Sequence, residues 1–252
     1  MSSATSGAGN PGPKMGIMLL ETTPDRLEGS LAHPDTFACD VRYDKLEGIW
    51  VDQILSASPT YAPSFIQAAK RLEMDGANLL ITNCGYSIAY QAAVQQNVRI
   101  PAALSSLMLL PLLDRLRSPG RKIGLLTFDA IKLTEAHLRA AWPQYHPEAL
   151  AIGGLQGTQT WSDMARDDAI YDVDQITSDI TGVVSALMKQ DLQFLLVECA
   201  ALCAFIPHLK SITGIPVFDI VSLANFLSSG LQKKDMAVAR QDFRQLGQSR
   251  PG

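Results

Sequence analysis

The sequence predicts an α/β protein of two similar lobes, each with a mostly parallel sheet, related by a pseudo-two-fold axis. From Met15 onward, short apolar runs alternate with amphipathic helical stretches, which is the pattern of βα units in parallel sheets. Short segments of the first half also recur in the second half in the same order, and such internal repetition indicates duplicated architecture. With 252 residues, 47% of them hydrophobic, the chain is long enough to bury one large core or two modest ones.

The first half contains three predicted strands and three predicted helices. One helix carries Phe65, Ala69 and Leu72 on one face and stops at Gly76, which favours a left-handed cap. In order, the elements are strand Gly16–Leu20, helix Pro63–Asp75, strand Asn78–Thr82, helix Gly85–Asn97, strand Ile100–Leu104 and helix Ser106–Leu116. The turn at Ser118–Gly120 closes this unit.

The second half begins the same pattern again. A Gly-rich stretch around Gly153 and Gly154 is interpreted as irregular. The predicted elements are strand Lys122–Thr127, helix Ile131–Ala141, helix Asp174–Lys189, strand Gln193–Val197, a helix that ends near Ser211, strand Ile215–Phe218 and helix Val221–Leu227.

Three anchors align the two halves. They pair Lys14–Ile17 with Lys122–Leu125, Asn78–Cys84 with Gln193–Cys199, and Ile100–Pro101 with Ile215–Pro216. Pro101 follows Cys84 by 17 residues, and Pro216 follows Cys199 by the same 17. The two cysteines therefore hold equivalent positions, and the pseudo-two-fold axis is expected to bring them face to face across a cleft.

The domain boundaries follow from these elements. They are 1–14 for a flexible leader, 15–118 plus 221–235 for the first lobe, 119–220 for the second lobe and 236–252 for a polar tail. An insertion at 21–48 is longer than a usual βα loop, which favours a lid over the cleft or an extra hairpin. A surface embellishment or an oligomer contact is an open alternative for it.

Charge and hydropathy exclude several partners. The net charge is -4, and no basic run is longer than the Lys233-Lys234 pair, so we expect no nucleic-acid partner. The longest apolar stretches, such as Leu104–Leu113, are too short and too interrupted to cross a bilayer. No membrane partner is expected, and without a signal-peptide pattern the protein is expected in the cytoplasm.

The chemistry is predicted to centre on Cys84 and Cys199. Each follows a predicted central strand at its carboxyl end, where open parallel sheets bind ligands. The N–H groups of the following helix would stabilise a thiolate and lower the thiol pKa toward neutrality. A single cysteine there is more often a small buried hydrophobe, but two at equivalent positions favour function.

The segments Thr82–Tyr86 and Glu198–Leu202 resemble the two cysteine motifs of the aspartate/glutamate/hydantoin racemase superfamily. The resemblance extends over most of Met15 to Gly230. It implies Rossmann-like lobes, a small carboxylate substrate, no cofactor, and a homo-oligomer, a dimer or larger. It also implies a two-base mechanism, in which one thiolate removes the proton α to a carboxylate and the opposing thiol returns a proton to the other face.

Six further residues are candidate substrate ligands, and no metal site is expected. They are Asn83, Gly85, Ser105, Thr127, Glu198 and Ala200. The N–H groups around Gly85 and Ala200, with Asn83, would bind the substrate carboxylate as it takes on enediolate charge. Several of the six also have structural alternatives.

Three of these six residues also have a structural explanation within their own strand or helix. Thr127 is as well explained as a core strand residue, and Ser105 as a helix cap. Glu198 either tunes the neighbouring thiol or binds a substrate amine. Alternation along a strand would instead point it away from Cys199, toward a structural salt bridge.

The preferred function is a cofactor-independent amino-acid racemase acting on aspartate-like or glutamate-like substrates. Two rivals within the superfamily are a maleate-type cis-trans isomerase and an arylmalonate-type decarboxylase, and the presence of both cysteines disfavours the decarboxylase. A third rival is a non-catalytic module that binds small carboxylates, since two lobes around a cleft also describe a hinged binding protein.

Overall fold

A computed structural model describes residues 14–21, 27–166 and 168–231 of the chain. It contains two four-stranded sheets in which every strand pair is parallel. The strand orders are β2-β1-β3-β4 and β6-β5-β7-β8, so both sheets have the same topology. The predicted α/β class and the duplicated lobes are confirmed.

The first lobe runs from β1 to α4. Its strands are β1 (Lys14–Leu19), β2 (Asp40–Lys45), β3 (Leu79–Thr82) and β4 (Ala102–Ala103). Its helices are α1 (Val51–Ile54), α2 (Ala62–Met74), α3 (Gln91–Gln95) and α4 (Leu110–Leu116). As predicted, Phe65, Ala69 and Leu72 lie on the buried face of α2.

The second lobe repeats this layout. Its strands are β5 (Lys122–Thr127), β6 (Leu150–Gly154), β7 (Leu192–Val197) and β8 (Val217–Phe218). Its helices are α5 (Glu135–Ala141), α6 (Gln159–Met164), α7 (Val173–Leu187) and α8 (Ile206–Thr213), followed by α9 (Ile220–Leu231). Helix α9 packs against both β3 and β8 and so touches both sheets.

The repeat extends to single hydrogen bonds at the end of the central strands. The N–H of Asn83, just after β3, donates to Met18 O at 3.2 Å, and the N–H of Glu198, just after β7, donates to Leu126 O at 2.8 Å. These bonds hold the first residue after each strand beside the neighbouring strand. Each cysteine that follows is thereby held at the carboxyl edge of its sheet.

Two of the four edge strands, β2 and β6, depart from the prediction. The segment around Gly153 is not irregular but forms β6, where the missing side chain matters because a Cβ there would lie 2.9 Å from Val183 Cγ1 of α7. The insertion at 21–48 contributes β2 rather than a hairpin, and β2 is stabilised at the surface by an Asp44–Arg71 ion pair. Both strands lie at equivalent edges, so the repeat is more complete than the sequence pattern indicates.

The helix predicted from Gly85 to Asn97 is also divided. A 3-10 segment at Gly85–Tyr90 precedes α3, and the equivalent 3-10 segment at Ala200–Phe205 precedes α8.

The tail at 236–252 lies outside the described residues, as does the leader except for Lys14. In the described part of the chain, no helix combines the length and the apolar character needed to cross a bilayer.

Candidate active site

A cavity lies between the carboxyl ends of β3 and β7 and is lined by both lobes. Its volume is about 90 Å³, enough for at least six water-sized groups at the roughly 10–15 Å³ that each requires. The lining residues are Leu19, Leu20, Leu31, Ala32, Val51, Asn83, Cys84, Gly85, Tyr86, Phe128, Met164, Tyr171, Glu198, Cys199, Ala200 and Ala201. A small, mostly apolar ligand site of this kind is typical of enzymes that enclose their substrate.

Both predicted catalytic cysteines line this cavity. Cys84 and Cys199 are each 9% exposed, and each immediately precedes a 3-10 segment. Burial, followed by the charge of Glu198, raises the pKa of the Cys84 thiol well above its ordinary value. Hydrogen bonds from the N–H groups of Tyr86 and Ser87 act the other way but do not outweigh burial. The expected lowering of the pKa toward neutrality is therefore wrong for Cys84.

Glu198 does not point away from Cys199 toward a salt bridge. Strand β7 ends at Val197, so strand alternation no longer governs the next two residues, and both face the cavity. Glu198 is 1% exposed, and burial raises the pKa of its carboxyl to about 7. The Thr127 hydroxyl donates to Oε2 at 2.6 Å, and the Phe128 N–H also hydrogen-bonds the carboxylate. Oε1 is buried without a hydrogen-bond partner.

Thr127 belongs to a buried network behind the cavity rather than to the lining itself. Its hydroxyl lies 3.3 Å from the Tyr86 hydroxyl, which donates to Asp129 O at 2.7 Å. The network joins the first lobe's 3-10 segment to the end of β5. Thr127 thus acts on Glu198 and not directly on a ligand.

Asn83, Gly85 and Ala200 all line the cavity, as the sequence predicts. The Asn83 side chain accepts the Leu20 N–H at 2.9 Å, so its carbonyl oxygen is engaged in holding the loop after β1. Ser105 is a helix cap: its hydroxyl accepts the Leu107 N–H at 3.1 Å, and it is absent from the cavity lining. The position of Ser105 therefore does not support its predicted role as a substrate ligand.

Three aromatic side chains, of Tyr86, Phe128 and Tyr171, line the cavity. Phe128 directly follows β5, so the same strand-end rule that located the cysteines could have found it. Tyr171 precedes α7, and the cavity-lining Leu31 lies in the insertion. Nothing local in the sequence marks either of them.

The charge of the lining limits its ligands. Among the described lining residues none is Lys, Arg or His, and the one carboxylic acid is Glu198. A ligand carboxylate would therefore rely on uncharged donors such as backbone N–H groups, and a second carboxylate would face Glu198 without a counter-charge. In residues 14–21, 27–166 and 168–231, no group of three or more His, Cys, Asp or Glu side chains is placed to hold a metal ion.

Searches with family models find no match for this chain. Curated relatives are named dimethylsulfoniopropionate lyases. One from Durusdinium sp. clade D is 23% identical over 224 residues, which is 86% of this chain and 74% of the relative. Lyase 2 of Emiliania huxleyi is 25% identical over 89% of this chain and 74% of the relative. Lyase 5 of Emiliania huxleyi (strain CCMP1516) is 29% identical over 65% of this chain, but the match spans only 35% of that relative.

Solved structures with the same fold include racemases and a decarboxylase. Allantoin racemase from Klebsiella pneumoniae has a TM-score of 0.60 at 13% identity and covers 87% of each chain. Picrophilus torridus aspartate racemase has a TM-score of 0.57 at 14% identity, over 88% of this chain and 96% of that one. Unliganded arylmalonate decarboxylase has a TM-score of 0.52 at 20% identity, over 87% and 92%.

These comparisons support an enzyme but correct the predicted reaction. The fold of the aspartate/glutamate/hydantoin racemase superfamily is confirmed. The prediction of an amino-acid racemase is wrong, because the curated relatives, at 23% to 29% identity, are named as lyases. Of the predicted rivals, the lyase-type reaction of the decarboxylase agrees better with these names.

Proposed function

We propose that this chain, with the fold of the aspartate/glutamate/hydantoin racemase superfamily, is a lyase that cleaves the carbon–sulfur bond of dimethylsulfoniopropionate or a close sulfonium carboxylate. The names of its curated relatives supply the substrate. The observation that carries the proposal is the charge of the cavity, where Glu198 is the one carboxylic acid among the described lining residues and none of them is basic.

A sulfonium carboxylate has the charges that such a lining accommodates. Its single carboxylate needs only uncharged donors, for which the candidates are N–H groups at the starts of the 3-10 segments Gly85–Tyr90 and Ala200–Phe205. Its cation can face Glu198 and the aromatic side chains. A dicarboxylate such as a malonate, aspartate or glutamate would bring a second negative charge to the same wall, which disfavours these substrates.

The proposed reaction is an elimination. One cysteine acts as the base in its thiolate form, which for Cys84 is a minor population because burial raises the thiol pKa. The thiolate takes the proton from the carbon next to the carboxylate and becomes a thiol. The electron pair of that C–H bond forms the new C=C bond, while the bond between the β-carbon and sulfur breaks and its electron pair leaves with neutral dimethyl sulfide. Acrylate is the second product, and the thiol returns its proton to water.

An elimination needs one base, not two. The leaving group departs as a neutral molecule and requires no acid, so the reaction does not need the second thiol as a proton donor. This differs from inversion at a carbon, which requires an acid and a base on opposite faces. Two cysteines on one cavity are therefore compatible with a lyase as well as with a racemase.

The test is incubation of the purified chain with dimethylsulfoniopropionate, with dimethyl sulfide read by headspace gas chromatography and acrylate by proton NMR. Parallel reactions contain phenylmalonate, L-aspartate or L-glutamate. We expect equal amounts of dimethyl sulfide and acrylate, and no turnover of the dicarboxylates. Decarboxylation of phenylmalonate without cleavage of the sulfonium compound would overturn the proposal.

A further inference from the structure

We propose that Glu198 is the recognition site for the substrate's cationic group, and that it makes the cavity selective for onium carboxylates over carboxylates of the same shape that lack the cationic group. This inference rests on the proposed function for its substrate class. It attributes the preference for ligands with a cationic group to the single side chain of Glu198, whereas the proposed function uses only the overall charge of the lining.

The first argument is the unequal state of the two carboxylate oxygens. Oε2 of Glu198 accepts the Thr127 hydroxyl at 2.6 Å, whereas Oε1 is buried without a partner although the residue lines the cavity. A buried polar atom without a partner costs free energy. A cation in the cavity would interact electrostatically with this buried carboxyl group, so the arrangement favours a positively charged ligand.

The second argument comes from the broken symmetry of the two lobes. The residue equivalent to Glu198 is Asn83, whose side-chain oxygen is engaged by the Leu20 N–H at 2.9 Å. The cavity is therefore acidic on the second-lobe side and neutral on the first-lobe side. A ligand with one positive and one negative end has a preferred orientation in such a field, whereas a pseudo-symmetric site would not impose one.

The surroundings of Glu198 suit an onium group rather than an ammonium with N–H donors. Tyr86, Phe128 and Tyr171 line the same cavity, and aromatic faces attract methylated cations. Phe128 is itself stacked on Trp161, with ring centroids 6.2 Å apart, which restrains its ring. A dimethylsulfonium group offers no proton to donate but a diffuse charge and methyl groups, which these side chains can contact.

Ionisation of Glu198 couples to this binding. Burial raises the pKa of its carboxyl to about 7, so at neutral pH a substantial fraction is protonated in the empty cavity. The other titratable groups around it are Cys84, Cys199, Tyr86 and the buried Asp129 beyond the network. A bound cation favours the ionised carboxylate, so its binding should release a proton near neutral pH.

The experiment compares two unreactive ligands that differ in charge but hardly in shape. They are 3-(trimethylammonio)propanoate and 4,4-dimethylpentanoate, which has the same shape and carboxylate but lacks the cationic group, each titrated by calorimetry into the wild-type chain and into Glu198→Gln. The glutamine can still accept the Thr127 hydrogen bond, so the cavity should keep its shape. We expect the wild type to bind the trimethylammonio ligand about tenfold or more tightly than 4,4-dimethylpentanoate, and the variant to lose most of that preference while its affinity for 4,4-dimethylpentanoate is kept or raised.

A matched control changes a different buried carboxyl group to its amide. Asp129 is 4% exposed and accepts the Ile131 N–H at 2.9 Å, an interaction that Asp129→Asn can retain. This variant should keep the wild-type preference for the cation. Equal loss of both ligands in Glu198→Gln, or an unchanged ratio of the two affinities, would show that Glu198 only supports the structure.

These binding measurements separate the inference from the proposed lyase activity. If the wild type prefers the cationic ligand and Glu198→Gln loses that preference, but the wild type does not cleave dimethylsulfoniopropionate, the proposed function fails and the role of Glu198 stands. If it cleaves that substrate while Glu198→Gln retains the preference for the cation, the lyase proposal stands and the inference about Glu198 is overturned.

Discussion

The side chain of Glu198, in the second lobe, occupies the space that a side chain on Gly85, in the first lobe, would need. A Cβ on Gly85 would lie 2.6 Å from Glu198 Cδ and 2.7 Å from Glu198 O, and closer still to Oε1. Gly85 has no positive φ angle, so its glycine is explained by this close approach rather than by backbone conformation. The two cysteine motifs therefore meet directly, and one residue of each determines the position of the other.

Gly85→Ala should destabilise the protein and impair the cavity. The added methyl group must displace the Glu198 carboxyl or separate the lobes, at a cost of about 1–3 kcal/mol in the free energy of unfolding. Gly182→Ala in α7 is the control, because a Cβ there meets nothing within 4 Å. Chemical denaturation measures both, and equal stability of the two variants would contradict the close approach.

As pH rises, the free energy of unfolding should decrease more steeply in the wild type than in Glu198→Gln. Folding raises the pKa of Glu198 from 4.5 to about 7, so between those values the folded state binds more protons than the unfolded state. The wild type therefore loses stability as pH rises through that window, by about 3 kcal/mol in total. Urea unfolding at pH 5 and pH 8 measures the difference between the two proteins.

The comparison with Glu198→Gln isolates this one group. Burial lowers the pKa of His137, which acts in the opposite direction by removing stability as pH falls, but it does so equally in both proteins. The same pH dependence in wild type and variant would mean that Glu198 ionises normally in the folded chain.

Thr127→Val should move the onset of cation binding to higher pH. The Thr127 hydroxyl donates to Glu198 Oε2 at 2.6 Å and lowers the carboxyl pKa against the effect of burial. Its loss should raise the midpoint by about one pH unit, the effect of one hydrogen bond to a charged group. Titrations of 3-(trimethylammonio)propanoate from pH 6 to 9 give this midpoint, and Thr127→Ser, which keeps the hydroxyl, should match the wild type.

Serine at Cys84 or Cys199 should identify the base of the elimination. Replacing the thiol that takes the proton should lower kcat for dimethyl sulfide release by about a hundredfold or more, since a hydroxyl is a far weaker base. The other variant should retain more activity, because the leaving group needs no acid. Cys39→Ser, at a position outside the cavity lining, should behave as wild type. Full activity in both cavity variants would exclude thiol catalysis.

Much of the fold was accessible from sequence because buried central strands carry a strong local signal. The strands at Lys14–Leu19, Leu79–Thr82, Lys122–Thr127 and Leu192–Val197 are short apolar runs and were predicted almost to their ends. The edge strands β2 and β6 were missed for opposite reasons. Asp40–Lys45 is charged because it faces solvent at a sheet edge, and Leu150–Gly154 contains glycines because a helix packs closely on it.

The sequence by itself determined the duplicated α/β architecture, the equivalence of Cys84 and Cys199, and their place at the carboxyl ends of strands, since each of these depends on periodicity or spacing along the chain. Only the tertiary structure decided which way Glu198 faces and what charge the cavity has. The reason is physical: a cavity's charge is the sum of side chains brought together from distant segments, and Glu198 titrates near neutral pH because those segments exclude water from it.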